Sequence, residues 1–232
     1  MPLDEVTPLQ PDDGAAATEA SALLNRALGD GLYRPEWLVA DAANPGAGVW
    51  IARAVGREKE DDLPPLTPRQ LKGGSDDLPP LTPRQMRGGG TVGVAVARLL
   101  GAGDDAYYRP FGAAAMELLQ GSVASFEALA VDPAHRRRGL GVALTTTALG
   151  WFCDNGCDTA VTLSWRSNRD GSAGLFRRLG MREGPTIDRF YHEESLRDGW
   201  VCPVCKGPCT CAATLFTLPL GKRRLGDERA RI

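Results

Sequence analysis

The chain lacks a dominant charge of either sign. Its 27 lysines and arginines stand against 29 aspartates and glutamates, a formal net charge of −2 over 232 residues. Such a balance removes any global pull toward nucleic acid or an acidic membrane surface. No apolar run approaches the ~20 residues needed to span a bilayer. The first residues, Met1-Pro2-Leu3-Asp4-Glu5, show no basic-then-apolar secretory pattern, so a cytoplasmic protein is expected. Histidine is scarce: His135 and His192 stand alone, have no metal-ligand spacing and read as surface residues. What is left is an ordinary globular composition, 43% hydrophobic and 24% charged, sufficient for one sizeable domain with a substantial core.

Cysteine is sparse but unevenly placed. Of six in the chain, Cys202, Cys205, Cys209 and Cys211 fall within ten residues, while Cys153 and Cys157 lie elsewhere. Without a secretory pattern, close-set thiols argue for metal more than for disulfides. Four thiolates can close a tetrahedron around Zn²⁺, with Pro203, Gly207 and Pro208 shaping the tight turns. Reduced thiols, an iron–sulfur cluster or a disulfide are the alternatives. A zinc held by four cysteines has no open position and is structural. Lys206 is the single basic residue within the cluster, which argues against nucleic-acid binding.

Periodicity and punctuation give the element order. Val6–Leu9 reads as a strand, and Asp12-Asp13 as a helix start. Ala15–Leu28 reads as a helix stopped by Gly29, and Pro35–Ala43 as a short helix with proline in its first turn. Val49–Val55 and Thr91–Leu100 read as strands. Between them the fifteen-residue segment 61–75 is repeated almost unchanged as 76–90. Three prolines and a glycine-rich tail per copy bury little apolar surface, so residues 56–90 are expected to form a disordered insertion between two strands. Two copies fall short of a solenoid. Deleting residues 76–90 should therefore alter loop-closure free energy by only about 0.6 kcal/mol. Thermal melting and turnover of the deletion variant check this; a large loss of either would show that the repeat packs or binds.

Further on, Gly101–Asp105 reads as a turn and Tyr107–Val123 as a loop with a short helical piece. Ser125–Val131 is a strand, and Leu140 through Phe152 keeps helical spacing up to Asn155-Gly156. Val161–Trp165 alternates as a strand, Ser172–Leu179 is a helix stopped by Gly180, and Thr186–Tyr191 and Ala212–Leu218 read as the last two strands. Residues 221–232 are a charged tail. The most informative stretch joins the strand ending at Val131 to the helix beginning at Leu140: Asp132-Pro133-Ala134-His135-Arg136-Arg137-Arg138-Gly139. Glycine lets the backbone turn sharply, the amides at the helix start point at an anion, and the arginines add charged donors. This is a phosphate cradle by construction.

With Arg136-x-x-Gly139-x-Gly141 behind Ala130-Val131-Asp132-Pro133, and Leu179-Gly180-Met181 after the next strand and helix, the chain resembles the GNAT superfamily of N-acetyltransferases. The resemblance spans about residues 4–220 of a single domain (1–220). It places the repeat in a β-hairpin loop and the cysteines (199–212) between the last two strands. It implies an α/β (α+β) acyltransferase fold, a mixed, mostly antiparallel sheet flanked by helices. The cysteines would then border the acceptor side of the domain.

In that family the basic turn binds the pyrophosphate of acetyl-CoA. Carried over, the amides of Arg137, Arg138, Gly139, Leu140, Gly141 and Val142 would hold phosphate oxygens, with charge from Arg136 or Arg138. Backbone groups of Leu129 and Val131 would bond the pantetheine arm. Asn168 matches the family's cofactor-contacting asparagine, at a spacing about one residue longer than usual. Glu127, read as alternating in phase with Leu129, matches a carboxylate often found beside the acetyl position and is the candidate base. The family's tyrosine four residues before the helix-ending glycine is replaced by Phe176, which keeps its place on the cofactor side but has no proton to give. Tyr191, taken as the catalytic candidate, or Tyr107 or Tyr108 would substitute, or the thiolate leaves unassisted.

The activity implied is transfer of an acetyl group from acetyl-CoA to a primary amine by direct attack in a ternary complex, with a structural Zn²⁺ beside it. The competing reading is a non-catalytic acyl-CoA-binding module whose zinc loop and proline-rich repeat contact a protein. The partner expected is an amine acceptor, a small molecule or a protein amine. A homodimer is left open, membranes are not expected, and nucleic acid is disfavoured.

Overall fold

The computed structural model describes residues 5–54, 90–165 and 172–221. The expectations for residues 55–89, for Asn168 and for residues 222–232 lie outside them. Seven strands form one sheet: β1 Glu5–Pro8, β2 Ala47–Arg53, β3 Thr91–Leu99, β4 Val123–Val131, β5 Thr159–Trp165, β6 Arg182–Ile187 and β7 Ala213–Pro219. Their order is β1-β2-β3-β4-β5-β7-β6. Every pairing is antiparallel except β4 with β5, so the mixed, mostly antiparallel sheet is as expected.

Helices cover both faces. α1 (Gly14–Leu28) is alanine-rich and starts where the Asp13 side chain accepts from the Ala16 amide at 3.0 Å, which satisfies one of the orphan donors of the first turn. With α2 (Pro35–Ala43) it covers β2–β4, burying Leu23, Leu24 and Leu38 against Val94, Val96 and Ala130. On the other face α4 (Leu140–Asp154) buries Leu144, Ala148 and Phe152 against Ala95, Ala97 and Ala124, and α5 (Ala173–Arg178) adds Phe176. Alanines in the sheet let helix backbones approach closely, and the three largest fully buried side chains, Phe152, Phe176 and Phe216, fill the space left. A 3₁₀ helix (Asp104–Phe111) and α3 (Ala113–Glu117) occupy the stretch read as a loop and pack on β5 and β7.

The penultimate strand is displaced from its expected place: it is Arg182–Ile187, not Thr186–Tyr191. Gly184 and Pro185 lie at an irregularity between Glu183 and Thr186, a position an edge strand tolerates because its outer N–H groups have no partner to lose. The apolar residues that mimicked a strand, Phe190 and Tyr191, instead leave a turn with Arg189 at φ 54°. Phe190 packs on Phe111 and Tyr107, and Tyr191 on Phe190, Trp165 and Trp200. An unexpected helix, α6 (His192–Asp198), follows and ends at Gly199 in the left-handed region.

Candidate active site

β4 and β5 pair only from Val123↔Thr159 to Phe126↔Thr162. The Thr162 hydroxyl closes that ladder by donating to the Phe126 carbonyl at 2.8 Å. Beyond this point β4 runs on to Val131 and β5 to Trp165 with no ladder between them, and the gap opens into a cleft of about 440 Å³. Phe126 to Leu129 form one wall, Thr162, Leu163 and Trp165 another, and Phe176 the floor. The far end is built by the α1–α2 loop with Tyr33, by Tyr107 and Tyr108, and by Tyr191, Glu194 and Trp200. All four tyrosines of the chain line this cleft.

The β3–β4 register shows how Glu127 comes to face it. Val96 pairs with Ala128 and Ala97 with Phe126, so Glu127 is the extra residue of a β-bulge. In an unbroken strand Ala124, Phe126, Ala128 and Ala130 would share one face. Instead Ala124 and Phe126 pack under α4 while Ala128 and Ala130 pack under α1. The bulge reverses the alternation and re-aims the side chain it carries. Leu129 therefore packs on the α4 side, whereas the groups acting on Glu127 are Arg98, Ser125, Asp41 and Asp104. The expected phase relation between Glu127 and Leu129 does not hold.

The Glu127 side chain opens onto the cleft's solvent, yet the surrounding protein raises its carboxyl above the ordinary glutamate range. Burial is the largest cause, and Arg98 and the nearby Ser125 hydroxyl oppose it. Tyr191 is shifted upward by burial first and then by Glu194, so it keeps its proton at neutral pH. Tyr107 donates to Glu194 Oε2 at 3.1 Å. One cleft thus holds a carboxylate with raised proton affinity and protonated phenols, a base and acids in reach of the same volume.

Between the end of β4 and the start of α4 stands the basic turn. Gly139 caps α4 with φ 88°, a conformation that favours glycine. The first amides of α4, from Leu140 on, have no acceptor within the helix by its own geometry. Arg137 and Arg138 are exposed, while Arg136 turns back and donates from Nε to the Val131 carbonyl at 3.1 Å. That guanidinium and that carbonyl, both expected at the cofactor, therefore engage one another. Leu129 links the turn to the cleft: it lines the cavity, and its Cδ2 lies 4.0 Å from where a β-carbon on Gly141 would stand. Phe176 is buried in the floor between Phe126 and Phe216.

The four cysteines converge. Their sulfurs all lie within 4.8 Å of one another, with Cys202–Cys211 at 3.7 Å and Cys205–Cys211 at 3.5 Å. Zinc–sulfur bonds of about 2.3 Å in a tetrahedron separate sulfurs by roughly 3.8 Å, so the spacing fits such an ion. The Cys205 amide donates to Cys202 Sγ at 3.3 Å and the Thr210 amide to Cys205 Sγ at 3.3 Å. Hydrogen bonds from Thr210 bring the Cys205 thiol down to about 7, whereas burial pushes the Cys209 thiol up.

This knuckle is wired to the cleft. Trp200 packs on Cys202, Cys209 and Cys211 on one side and on Trp165 and Tyr191, at ring-centroid distances of 6.0 and 6.4 Å, on the other. The Cys209 amide donates to Ser195 of α6 at 2.8 Å, and His192 Nδ1 meets the Cys209 carbonyl at 3.1 Å. His192 is thus half-buried against the knuckle, not a plain surface residue; His135 is half-buried as well, 3.5 Å from Asp132. Asp30 and Val201 exchange backbone hydrogen bonds of 3.0 and 3.2 Å, tying the α1–α2 loop to the same segment. Sequence reasoning gave no place to Ser125, Glu194, Trp165 or Trp200, because none belongs to a local motif; only pairing across the fold brings them to the cleft.

Residues 87–181, a range that includes β3 through α5, match the model of the acetyltransferase (GNAT) family. No curated protein matches the chain significantly by sequence. Solved structures similar to it include NAA60 of Arabidopsis thaliana in complex with acetyl-CoA, 14% identical over 93% of this chain and 98% of that one, with a TM-score of 0.58. Naa20 of Chaetomium thermophilum in complex with a bisubstrate analogue is 13% identical over 98% and 92%, TM-score 0.57. The ribosomal-protein-S18-alanine N-acetyltransferase of Escherichia coli is 13% identical over 99% and 100%, TM-score 0.53. At these identities the likeness is one of architecture: the chain has the GNAT fold.

Proposed function

We propose that the protein is an acetyl-CoA-dependent N-acetyltransferase that acetylates a primary amine by direct attack in a ternary complex. One observation carries this reading. The cleft between the splayed ends of β4 and β5 is lined by a carboxylate and four phenols, and Leu129 of its wall lies beside Gly141 of the basic helix-capping turn. Of the solved neighbours with the same fold, one is named as an N-acetyltransferase and another is in complex with acetyl-CoA.

The turn's amides from Arg137 to Val142 hold the pyrophosphate, and Arg137 and Arg138, exposed beside them, supply charge. The edge of β4 that β5 leaves unpaired beyond Phe126 takes the pantetheine arm. Holding amine and thioester together in the cleft supplies most of the rate enhancement. Glu127 takes the proton of the attacking ammonium, directly or through a water in the cleft. Tyr191 returns a proton to the departing thiolate, a task Phe176 cannot perform. The four cysteines hold a structural zinc, which fixes the far wall through Trp200 and α6. The non-catalytic alternative draws on the missing hydroxyl at Phe176, and the phenols clustered in the cleft answer it. The acceptor is found by following acetyl transfer and free thiol release against peptide N-termini, lysine side chains, polyamines and amine drugs. No transfer to any class would reject the enzyme reading.

The cofactor end has its own test. Saturating acetyl-CoA, about a hundredfold above its Kd, should raise the melting temperature by roughly 5–10 °C through binding to the native state alone. Gly141→Asp should abolish the shift. Its β-carbon would come within 3.4 Å of Leu175 Cδ2, ordinary packing distance, so the fold survives while a like charge meets the phosphates. A full shift in the folded variant would refute the site.

A further inference from the structure

We infer that the acceptor is a small aliphatic amine carrying a second positive charge, in the simplest case a diamine. Its distal ammonium sits at the far end of the cleft, against Glu194 and the rings of Tyr107 and Tyr191. The inference rests on the reading of the cleft as an amine-acetylation site and names the substrate class for it. Among the described residues that line the cleft, Glu127, Glu194 and Asp198 carry negative charge and Arg197 alone carries positive. Arg197 is already committed, because its guanidinium donates to both Asp198 oxygens, each at 2.8 Å. Two carboxylates are left. Glu127 is assigned to the reacting amine. Glu194 forms no ion pair among the described residues, and the Tyr107 hydroxyl donates to its Oε2 at 3.1 Å.

A half-buried carboxylate that lacks a cation is unfavourable, and a ligand ammonium supplies the missing charge. The walls suit such a ligand in kind. Trp165 and Tyr191 have ring centroids 5.5 Å apart, Trp165 and Trp200 6.0 Å, and Tyr191 and Trp200 6.4 Å, with planes at 50°, 88° and 69°. They form a corner of aromatic rings, and ring faces attract a cation. Tyr107 brings a further ring, braced edge-on by Tyr108 and Phe190. Leu28, Leu32 and Leu163 in the same lining suit the methylenes between two nitrogens. Burial first, and then both Glu127 and Glu194, keep the Tyr33 phenol protonated, so the two carboxylates act on one volume. The Asp30–Val201 backbone pair joins the α1–α2 loop to the Trp200 segment at this end. That closure favours a compact ligand over a polypeptide that must run out between them.

The test compares three amines of matching chain length on the full-length protein. Cadaverine has an ammonium at both ends of five carbons, hexylamine has a methyl group in place of the distal ammonium, and aminohexanoate has a carboxylate there. The kcat/KM for cadaverine should exceed that for hexylamine by about tenfold or more, the order of one charge-assisted hydrogen bond, with the difference lying in KM. Aminohexanoate should be the poorest of the three. Glu194→Gln, which keeps the shape and removes the charge, should bring the cadaverine-to-hexylamine ratio close to one, and Tyr107→Phe should lower it less. Binding is followed apart from transfer by tryptophan fluorescence, since Trp165 and Trp200 line the site. Cadaverine should change it at concentrations where hexylamine does not. Equal use of cadaverine and hexylamine, a ratio unchanged in Glu194→Gln, or neither binding nor transfer of cadaverine would overturn the inference. Transfer confined to peptide N-termini would do the same and leave the acetyltransferase reading in place. Cadaverine binding that depends on Glu194, without transfer to any amine, would instead overturn the enzyme reading and keep the cation site.

Discussion

Glu127→Gln should lower kcat for amine acetylation by about 10²–10⁴-fold, the range general-base catalysis supplies, while acetyl-CoA still gives its full thermal shift. Glutamine keeps the shape but takes no proton from an ammonium. The pH dependence carries the sharper signature. Burial raises the Glu127 carboxyl above the usual glutamate range near 4.3. The base acts only when deprotonated, so wild-type turnover should fall as pH drops through that raised value and hold above it. The variant should lose that limb, and its deficit should be greatest where the amine is fully protonated. Rate profiles of the two proteins on one amine decide the matter; superimposable profiles would remove Glu127 from the chemistry.

The second large effect concerns the cysteines. Protein purified without chelators should contain one zinc per chain, and Cys205→Ser should lose it. Cys205 is the least buried of the four, so its exchange removes a ligand with little harm to packing. Without metal, thiolates held within 4.8 Å of one another repel or take up protons, and the knuckle loosens. Trp200 then loses its backing, and with it Trp165, Tyr191 and α6 shift. Misplacement of about an ångström in a cleft wall can reduce turnover on the order of a hundredfold. The loss should fall on acceptor kcat/KM, and acetyl-CoA affinity should hold, because the turn at Gly139 touches none of these residues. Tryptophan fluorescence gives a readout apart from activity: chelation should change it and added zinc restore it. Elemental analysis without zinc, or full activity in Cys205→Ser, would defeat the claim.

Much of this molecule could be read along the chain because its signals are local. The step from β4 through Gly139 into α4 is written in adjacent residues, since a strand end, a residue at positive φ and a helix start need no distant partner. The same holds for α1, bounded by Asp13 and Gly29, and for the cysteines, whose ten-residue span brings four sulfurs together whatever lies around them. The misplaced strand marks where local signals mislead: Phe190 is apolar because it packs on the 3₁₀ helix, and Tyr191 because it packs on Trp165 and Trp200, not because they continue β6.

The site's working geometry belongs to the tertiary structure. A β-bulge is a mismatch between two ladders, so whether Glu127 follows Leu129 or opposes it depends on where β3 pairs, 30 residues earlier in sequence. The cleft exists because β4 and β5 stop pairing after Phe126 and Thr162, an event that belongs to neither strand alone. Its four tyrosines come from the α1–α2 loop, the 3₁₀ helix and the start of α6, and its far wall leans on a cysteine knuckle through one tryptophan. The sequence by itself determined most of the elements, the glycine-capped basic turn and the thiol cluster, because each rests on contacts within a few residues. Only packing decided which side chains face one another across the cleft, because that depends on the register and separation of strands distant in the chain.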